Sequence, residues 1–183
     1  MAQAKPAQAP TNLVVNGRFE SPAIASFADG QLWANVPAAE MKPWETDAPF
    51  FEVWSNGYAP PNDAVTAYFA PCNSADGAQN LEIISAPGYR SAVWQAVPTV
   101  PGTRYTLIFQ HTPRPGAHST LTVSVDDGVV GNFDEDGTVL TNFQWAKFTT
   151  NFVASNSLTT LRFSDETSTQ GQGTHLDAVV VRQ

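Results

Sequence analysis

Cysteine occurs once in this chain of 183 residues, at Cys72. One thiol excludes an intrachain disulfide and any cysteine-rich metal site, which leaves Cys72 as a small residue near the surface or partly buried. Cations are also scarce. Nine Lys and Arg stand against 17 Asp and Glu, for a net charge of −8. So acidic a chain offers phosphates little, which argues against nucleic acid and anionic membrane surfaces as partners. No stretch approaches the 18 apolar residues of a membrane-spanning helix. The first ten residues, MAQAKPAQAP, have one lysine and no apolar core, so they do not read as a secretory signal. A signal has been removed, or none was used. Helical periodicity is nearly absent, as are the G-x-S-x-G elbow, the H-E-x-x-H pair and the phosphate loop.

What remains is strand chemistry. Hydrophobic residues make up 42% and aromatics 11%, with 14 Pro and 12 Gly to punctuate them. A chain of this length buries about 70% of its unfolded surface, enough for one core without a staple. Alternating runs recur: NLVVNG (12–17), FFEVWS (50–55), QNLEII (79–84), SAVWQAV (91–97), TRYTLIFQH (103–111), STLTVSVDDG (119–128), QWAKFTTNFVA (144–154), TTLRFSD (159–165) and THLDAVVVRQ (174–183). Tyr105, Leu107 and Phe109 share one face by period-2 spacing, and Asp127-Gly128 marks a hairpin turn. Eight or nine short strands separated by turns predict an all-β fold, an antiparallel two-sheet sandwich. Residues 1–11 read as an extended arm and 12–183 as one domain. Segments 23–49 and 56–76 read as long functional loops.

In order along the chain come NLVVNGRFE, KPWE, FFEVW, DGAQNLEI, VWQAVPTVPGTRYTLIFQH and HLDAVVV. This series resembles the galactose-binding-domain-like jelly rolls. That group includes carbohydrate-binding modules of glycosidases and a related plant cell-wall and bacterial surface family. The resemblance covers about residues 12–183. It departs at Pro43, where Gly usually precedes Trp44, and at Ala178, where Asn or Asp often follows the closing Asp.

The resemblance implies one structural calcium, held by Glu20 and Asp177 with carbonyl oxygens near Arg18. Calcium takes six to eight oxygens and ties distant segments together. The alternative is that the two carboxylates are exposed or satisfied by Arg and backbone N–H groups. The run Asp126, Asp127, Asp134, Glu135, Asp136 lacks EF-hand spacing and reads as a solvated turn. Trp44 and Trp145 match core positions, and Trp94 reads as core or sheet face.

Trp33, Trp54, Tyr58, Tyr68 and Phe69 sit in or beside the long loops. Flat rings there can stack on sugar rings, while Asn56, Asn62, Asp63, Asn73 and Asp76 bind hydroxyls. Such loops can equally pack their aromatics together or against a protein. Glu52 and Glu82 are the best-placed strand carboxylates for a glycosidase pair, yet nothing in the sequence marks them as acid and base. His111 and His118 flank TPRPGA without a convincing zinc pattern, and Arg114 there reads as a surface charge. The leading expectation is a non-catalytic carbohydrate-binding or adhesion module at a cell surface or outside the cell, with weak sites strengthened by multivalency. The rival is a structural protein of a larger assembly, such as a virion decoration, tail or surface-layer component. It would contact other subunits through residues 1–12.

Overall fold

The computed structural model describes residues 11–24, 32–58, 71–83, 91–166 and 172–183. Among them lie eleven strands and one short 3-10 turn, Ala38–Met41. The strands are β1 (Trp33–Pro37), β2 (Glu45–Thr46), β3 (Phe50–Ser55), β4 (Gln79–Ile83), β5 (Ser91–Pro98), β6 (Arg104–Pro113), β7 (His118–Val125), β8 (Gly128–Asp136), β9 (Ala146–Val153), β10 (Leu158–Asp165) and β11 (Thr174–Arg182). A six-stranded sheet runs β1-β3-β4-β11-β6-β9 and a five-stranded sheet runs β2-β5-β10-β7-β8. Every pairing is antiparallel. The protein is an all-β jelly-roll sandwich.

The count exceeds the expected eight or nine for identifiable reasons. β1 lies inside 23–49, whose Pro37 obscures a strand that pairs only with β3 at the sheet edge. β8 carries Asp134, Glu135 and Asp136, which read as a turn but pair with Thr120, Ser119 and His118 of β7. Conversely, NLVVNG forms no ladder. Leu13 N–H donates to the Val181 carbonyl at 2.8 Å. The Asn12 side chain brackets β11 by donating to the Val179 carbonyl at 3.1 Å and accepting from the Val181 N–H at 2.9 Å. Gln95 of β5 exchanges two bonds with the backbone of Val15, at 2.8 and 2.9 Å. The opening stretch thus straps one sheet to the other instead of extending either.

Period-2 alternation places Val53, Leu81, Leu107, Phe109 and Leu176 of the larger sheet against Val93, Val97, Leu121, Val123, Leu161 and Phe163 of the smaller. Trp44 is fully buried, 5.2 Å from Phe19 and 6.2 Å from Phe163, and its Nε1 donates to the Asn16 carbonyl at 3.2 Å. Trp94 lies on the outer face of the smaller sheet beneath the Arg162 guanidinium, 4.7 Å from its ring centre. Trp145, expected in the core, is only half-buried, and its place is on the outer face of the larger sheet.

β11 carries a bulge between Asp177 and Val180. Ala178 sits there at φ 52°, in the left-handed region, and the Val179 N–H turns to the Gly17 carbonyl at 2.8 Å. A left-handed L-residue costs about 1–2 kcal/mol, which explains why Asn or Asp suits this position better than alanine. A Cβ on Gly17 would run into the Val179 carbonyl oxygen, so only glycine lets the two segments close. Two outcomes follow for urea unfolding. Gly17→Ala is expected to lose about 1–3 kcal/mol through overpacking. Ala178→Gly is expected to gain about 0.5–1 kcal/mol by relieving the backbone. An unchanged midpoint in both would contradict this account of the bulge.

Candidate functional site

Cross-strand partners in antiparallel ladders project from the same face of a sheet. The registers Asn35↔Glu52, Glu52↔Glu82, Glu82↔His175 and His175↔Thr112 therefore set a polar row across β1, β3, β4, β11 and β6. The next row begins Trp33↔Trp54 and Trp54↔Asn80. Both lie on the outer face of the six-stranded sheet, opposite the core side chains Val53, Leu81 and Leu176.

Glu82 organises this face. Its side chain has no solvent exposure and burial pushes its pKa up. Arg114 donates from Nη1 to Oε1 at 3.2 Å and to Oε2 at 3.3 Å, and the Gly173 N–H donates to Oε1 at 3.0 Å. Arg114, which the sequence presents as a surface charge, is only 14% exposed, because a buried carboxylate needs a cation. Its guanidinium also lies 4.8 Å from the ring centre of Trp54.

His175 stands 3.8 Å from Glu82, Nε2 to Oε1, and is fully buried. Asn80 donates from Nδ2 to Cys72 Sγ and Ser74 Oγ, each at 3.0 Å, so its Oδ1 accepts from His175 Nδ1 at 2.8 Å. That network assigns the proton to Nδ1 and leaves Nε2 without a hydrogen-bond partner among the described residues. Burial lowers the His175 pKa to about 4, so the ring is neutral at pH 7. Burial raises the Cys72 thiol to about 11, which leaves it unreactive.

Aromatic rings cover these polar groups. Trp54 is 2% exposed, packs edge-on against Tyr58 at 4.6 Å and His175 at 4.7 Å, and donates from Nε1 to Glu52 Oε1 at 2.7 Å. It is a floor for the face rather than a free stacking platform. Trp33 lies 6.0 Å from Tyr58, and both are half-buried. Phe143 and Trp145 stack at 6.2 Å on the other side, with Phe143 4.8 Å from His175. Trp145 Nε1 donates to the Asn73 carbonyl at 2.7 Å, and the Gln144 N–H donates to Thr112 Oγ1 at 3.2 Å. These bonds lay the 143–145 stretch onto the sheet. Phe143 escapes sequence reading because a lone aromatic in a turn carries no period.

Asn56 stands beside the face, but its amide pins the neighbouring turn by donating to the Gly77 carbonyl at 3.1 Å and accepting from the Ser74 N–H at 2.6 Å. Tyr68, Asp63, Asn62 and Phe69 lie outside the described residues. His111 pairs with Glu135 at 3.0 Å and His118 with Asp134 at 2.6 Å, so the two histidines serve separate acidic partners on β8.

The expected calcium residues meet on one turn. Glu20 Oε1 accepts from the Ala78 and Gln79 N–H groups at 2.7 and 2.9 Å. Asp177 accepts from the Asp76 N–H at 2.8 Å and the Ala178 N–H at 2.6 Å, and burial raises its pKa to about 7. Arg18 Nε reaches Asp76 Oδ2 at 2.8 Å. Two carboxylates are of a type that suits a hard cation, but the turn presents N–H groups to both, and its Gly77 and Ala78 carbonyls already accept from Asn56 and Ser55. Among the described residues no three His, Cys, Asp or Glu side chains converge as a metal-holding group, so carbonyl oxygens would have to complete any shell.

Removing the cation from Glu82 exposes how much the face depends on it. Arg114→Met is expected to lose about 3–5 kcal/mol, because it strands a buried carboxylate. Adding Glu82→Gln to that variant is expected to recover part of the loss. Urea unfolding of the single and double variants measures both, and strict additivity would contradict the pairing.

Two solved structures share this architecture. A carbohydrate-binding module, TmCBM61 in complex with beta-1,4-galactotriose, aligns with TM-score 0.55 and 16% identity over 94% of this chain and 99% of its own. An arabinose-bound α-L-arabinofuranosidase, MgGH51, aligns with TM-score 0.54 and 14% identity over 93% of this chain and 26% of its own. At such identities the likeness is one of fold. No curated protein matches the sequence. The model of the family described as "Protein of unknown function (DUF642)" matches residues 12–182, and the chain belongs to that family.

Proposed function

We propose that this protein is a non-catalytic glycan-binding module whose site is the outer face of the six-stranded sheet. One observation carries the reading. Trp33, Tyr58, Phe143 and Trp145 are half-buried rings grouped around a fixed Trp54 floor, with Glu52 and Arg114 between them. Partly exposed rings offer flat apolar area to the C–H faces of sugars, and the carboxylate and guanidinium edges bind hydroxyls. The fold shared with a galactotriose-bound module supports the same reading. Hydrolysis by Glu52 and Glu82 is a poorer account. Glu82 is enclosed by Arg114 and Gly173 and has no exposed oxygen to reach a glycosidic bond.

A glycan array tests the reading. Tyr58→Ala is expected to reduce retained signal at least tenfold with an unchanged circular dichroism spectrum, as loss of one stacking ring removes about 1.4 kcal/mol or more. Trp54→Ala is a different probe. Its burial means that the variant loses about 3–5 kcal/mol of stability as well as binding. Wild-type protein that retains no glycan would defeat the proposal.

Calcium is a second, separate part of the proposal. Glu20 and Asp177, with carbonyls near Arg18, would hold the ion and bridge the opening and closing segments. Thermal melting with added calcium is expected to show a higher midpoint than melting with chelator. Identical midpoints would remove the metal and leave the backbone N–H groups as the sole partners of these carboxylates.

A further inference from the structure

Around Trp54 the charges of the outer face are paired, except at Glu52. Glu82 and Arg114 neutralise each other through two bonds at 3.2 and 3.3 Å. His175 is fully buried, with Nδ1 bonded to Asn80 Oδ1 at 2.8 Å, and offers nothing to a ligand. Tyr58 is neutral, since burial and then the field of Glu52 raise its phenol. Arg18 on the adjacent turn is paired with Asp76 at 2.8 Å, and the Asp177 carboxylate beside it is held by the Asp76 and Ala178 N–H groups. Arg104 and Arg182 project from the same face, opposite Val153 and Thr106, but lie at the far ends of β6 and β11, about 20 Å or more along the strands from the Glu82 row. Lys147 projects from it too, opposite Gln110. But β9 lies four strand steps from β3, about 19 Å at the usual spacing and beyond the screening length in physiological salt. What remains is Glu52, half-buried, with Oε1 held by Trp54 Nε1 at 2.7 Å beside the Tyr58 ring.

We propose that the face takes neutral glycans and rejects uronate-bearing ones, with Glu52 as the residue that decides. This rests on the glycan-binding reading of the face. A sugar stacked on Tyr58 brings its substituents within about one ring of Glu52. A neutral hydroxyl donates to that carboxylate. A uronate meets a like charge, finds no unpaired side-chain cation within a screening length of Glu52 among the described residues, and loses water as it binds. Repulsion between unit charges at that separation on a protein surface corresponds to about tenfold or more in affinity.

The test is an array that carries neutral oligosaccharides beside their uronate counterparts, galactosyl with galacturonosyl and glucosyl with glucuronosyl. Wild-type protein is expected to favour the neutral member of any bound pair at least tenfold. Glu52→Gln keeps an acceptor for Trp54 Nε1 and is expected to narrow the ratio to less than threefold. The chain's overall charge of −8 would also repel uronates, but that background is nearly the same in the variant. A ratio unchanged by Glu52→Gln, or uronates bound as well as neutral sugars by wild type, overturns the proposal. Absence of any bound glycan, with the protein folded, overturns the site reading itself and this inference with it.

Discussion

A carboxylate shut away from water has to be neutralised from within the protein, and Glu82 imposes that condition on a whole sheet face. Arg114 is drawn in from the β6–β7 connection, the Gly173 N–H from the start of β11, and His175 is forced to stay neutral beside them. Gly173 has no room for a side chain, because a Cβ would run into the Ile83 carbonyl oxygen. Once Arg114 is anchored it supports the Trp54 ring, and Trp54 in turn holds Glu52 and packs against Tyr58. A buried ion pair is weak evidence for stability, since apolar residues of the same volume often serve as well. Its better use here is to place an arginine and an indole in fixed orientation beneath a set of partly exposed rings.

The two faces of the six-stranded sheet therefore do different jobs. The inner face is built from Val53, Leu81, Leu107, Phe109 and Leu176 and packs against Phe163 and its neighbours. Among the described residues no second sheet covers the outer face, yet it buries Glu82, Asn80, Thr112 and His175 completely. Each strand of that sheet alternates between these environments, so β4 is buried at all five positions and loses the in-out contrast of a half-solvated strand. At the ends of the chain, a glycine and an alanine at φ 52° let the opening strap dock into the β11 bulge, with Glu20 and Asp177 fixed on one turn beside it.

Much of the fold is legible in the amino-acid sequence. Period-2 alternation locates β3, β5, β6, β7, β9, β10 and β11 to within one or two residues, because one face of each is core. Asp127-Gly128 locates the β7–β8 hairpin, but the acidic run after it hides β8, an edge strand whose outward residues need no apolar pattern. Pro37 hides β1. NLVVNG reads as a strand and is not one, since backbone partners supplied by an Asn side chain look the same in sequence as a ladder. Trp33, Trp54 and Tyr58 stand out as aromatics, though alternation alone does not say that Trp54 is floor and Tyr58 is rim.

The sequence by itself determined the class of fold and the side of each strand that faces the core, because alternation is a local consequence of the pleat. It also determined the acidic balance and the aromatic supply. Only the tertiary structure decided that Glu52, Glu82, His175, Arg114, Phe143 and Trp145 share one face. Those residues come from strands and turns up to 123 positions apart, and strand order, not spacing, makes them neighbours. Which carboxylate is buried against a guanidinium and which stays half-exposed was likewise settled by packing, since burial and the reach of one guanidinium have no signature in a linear string.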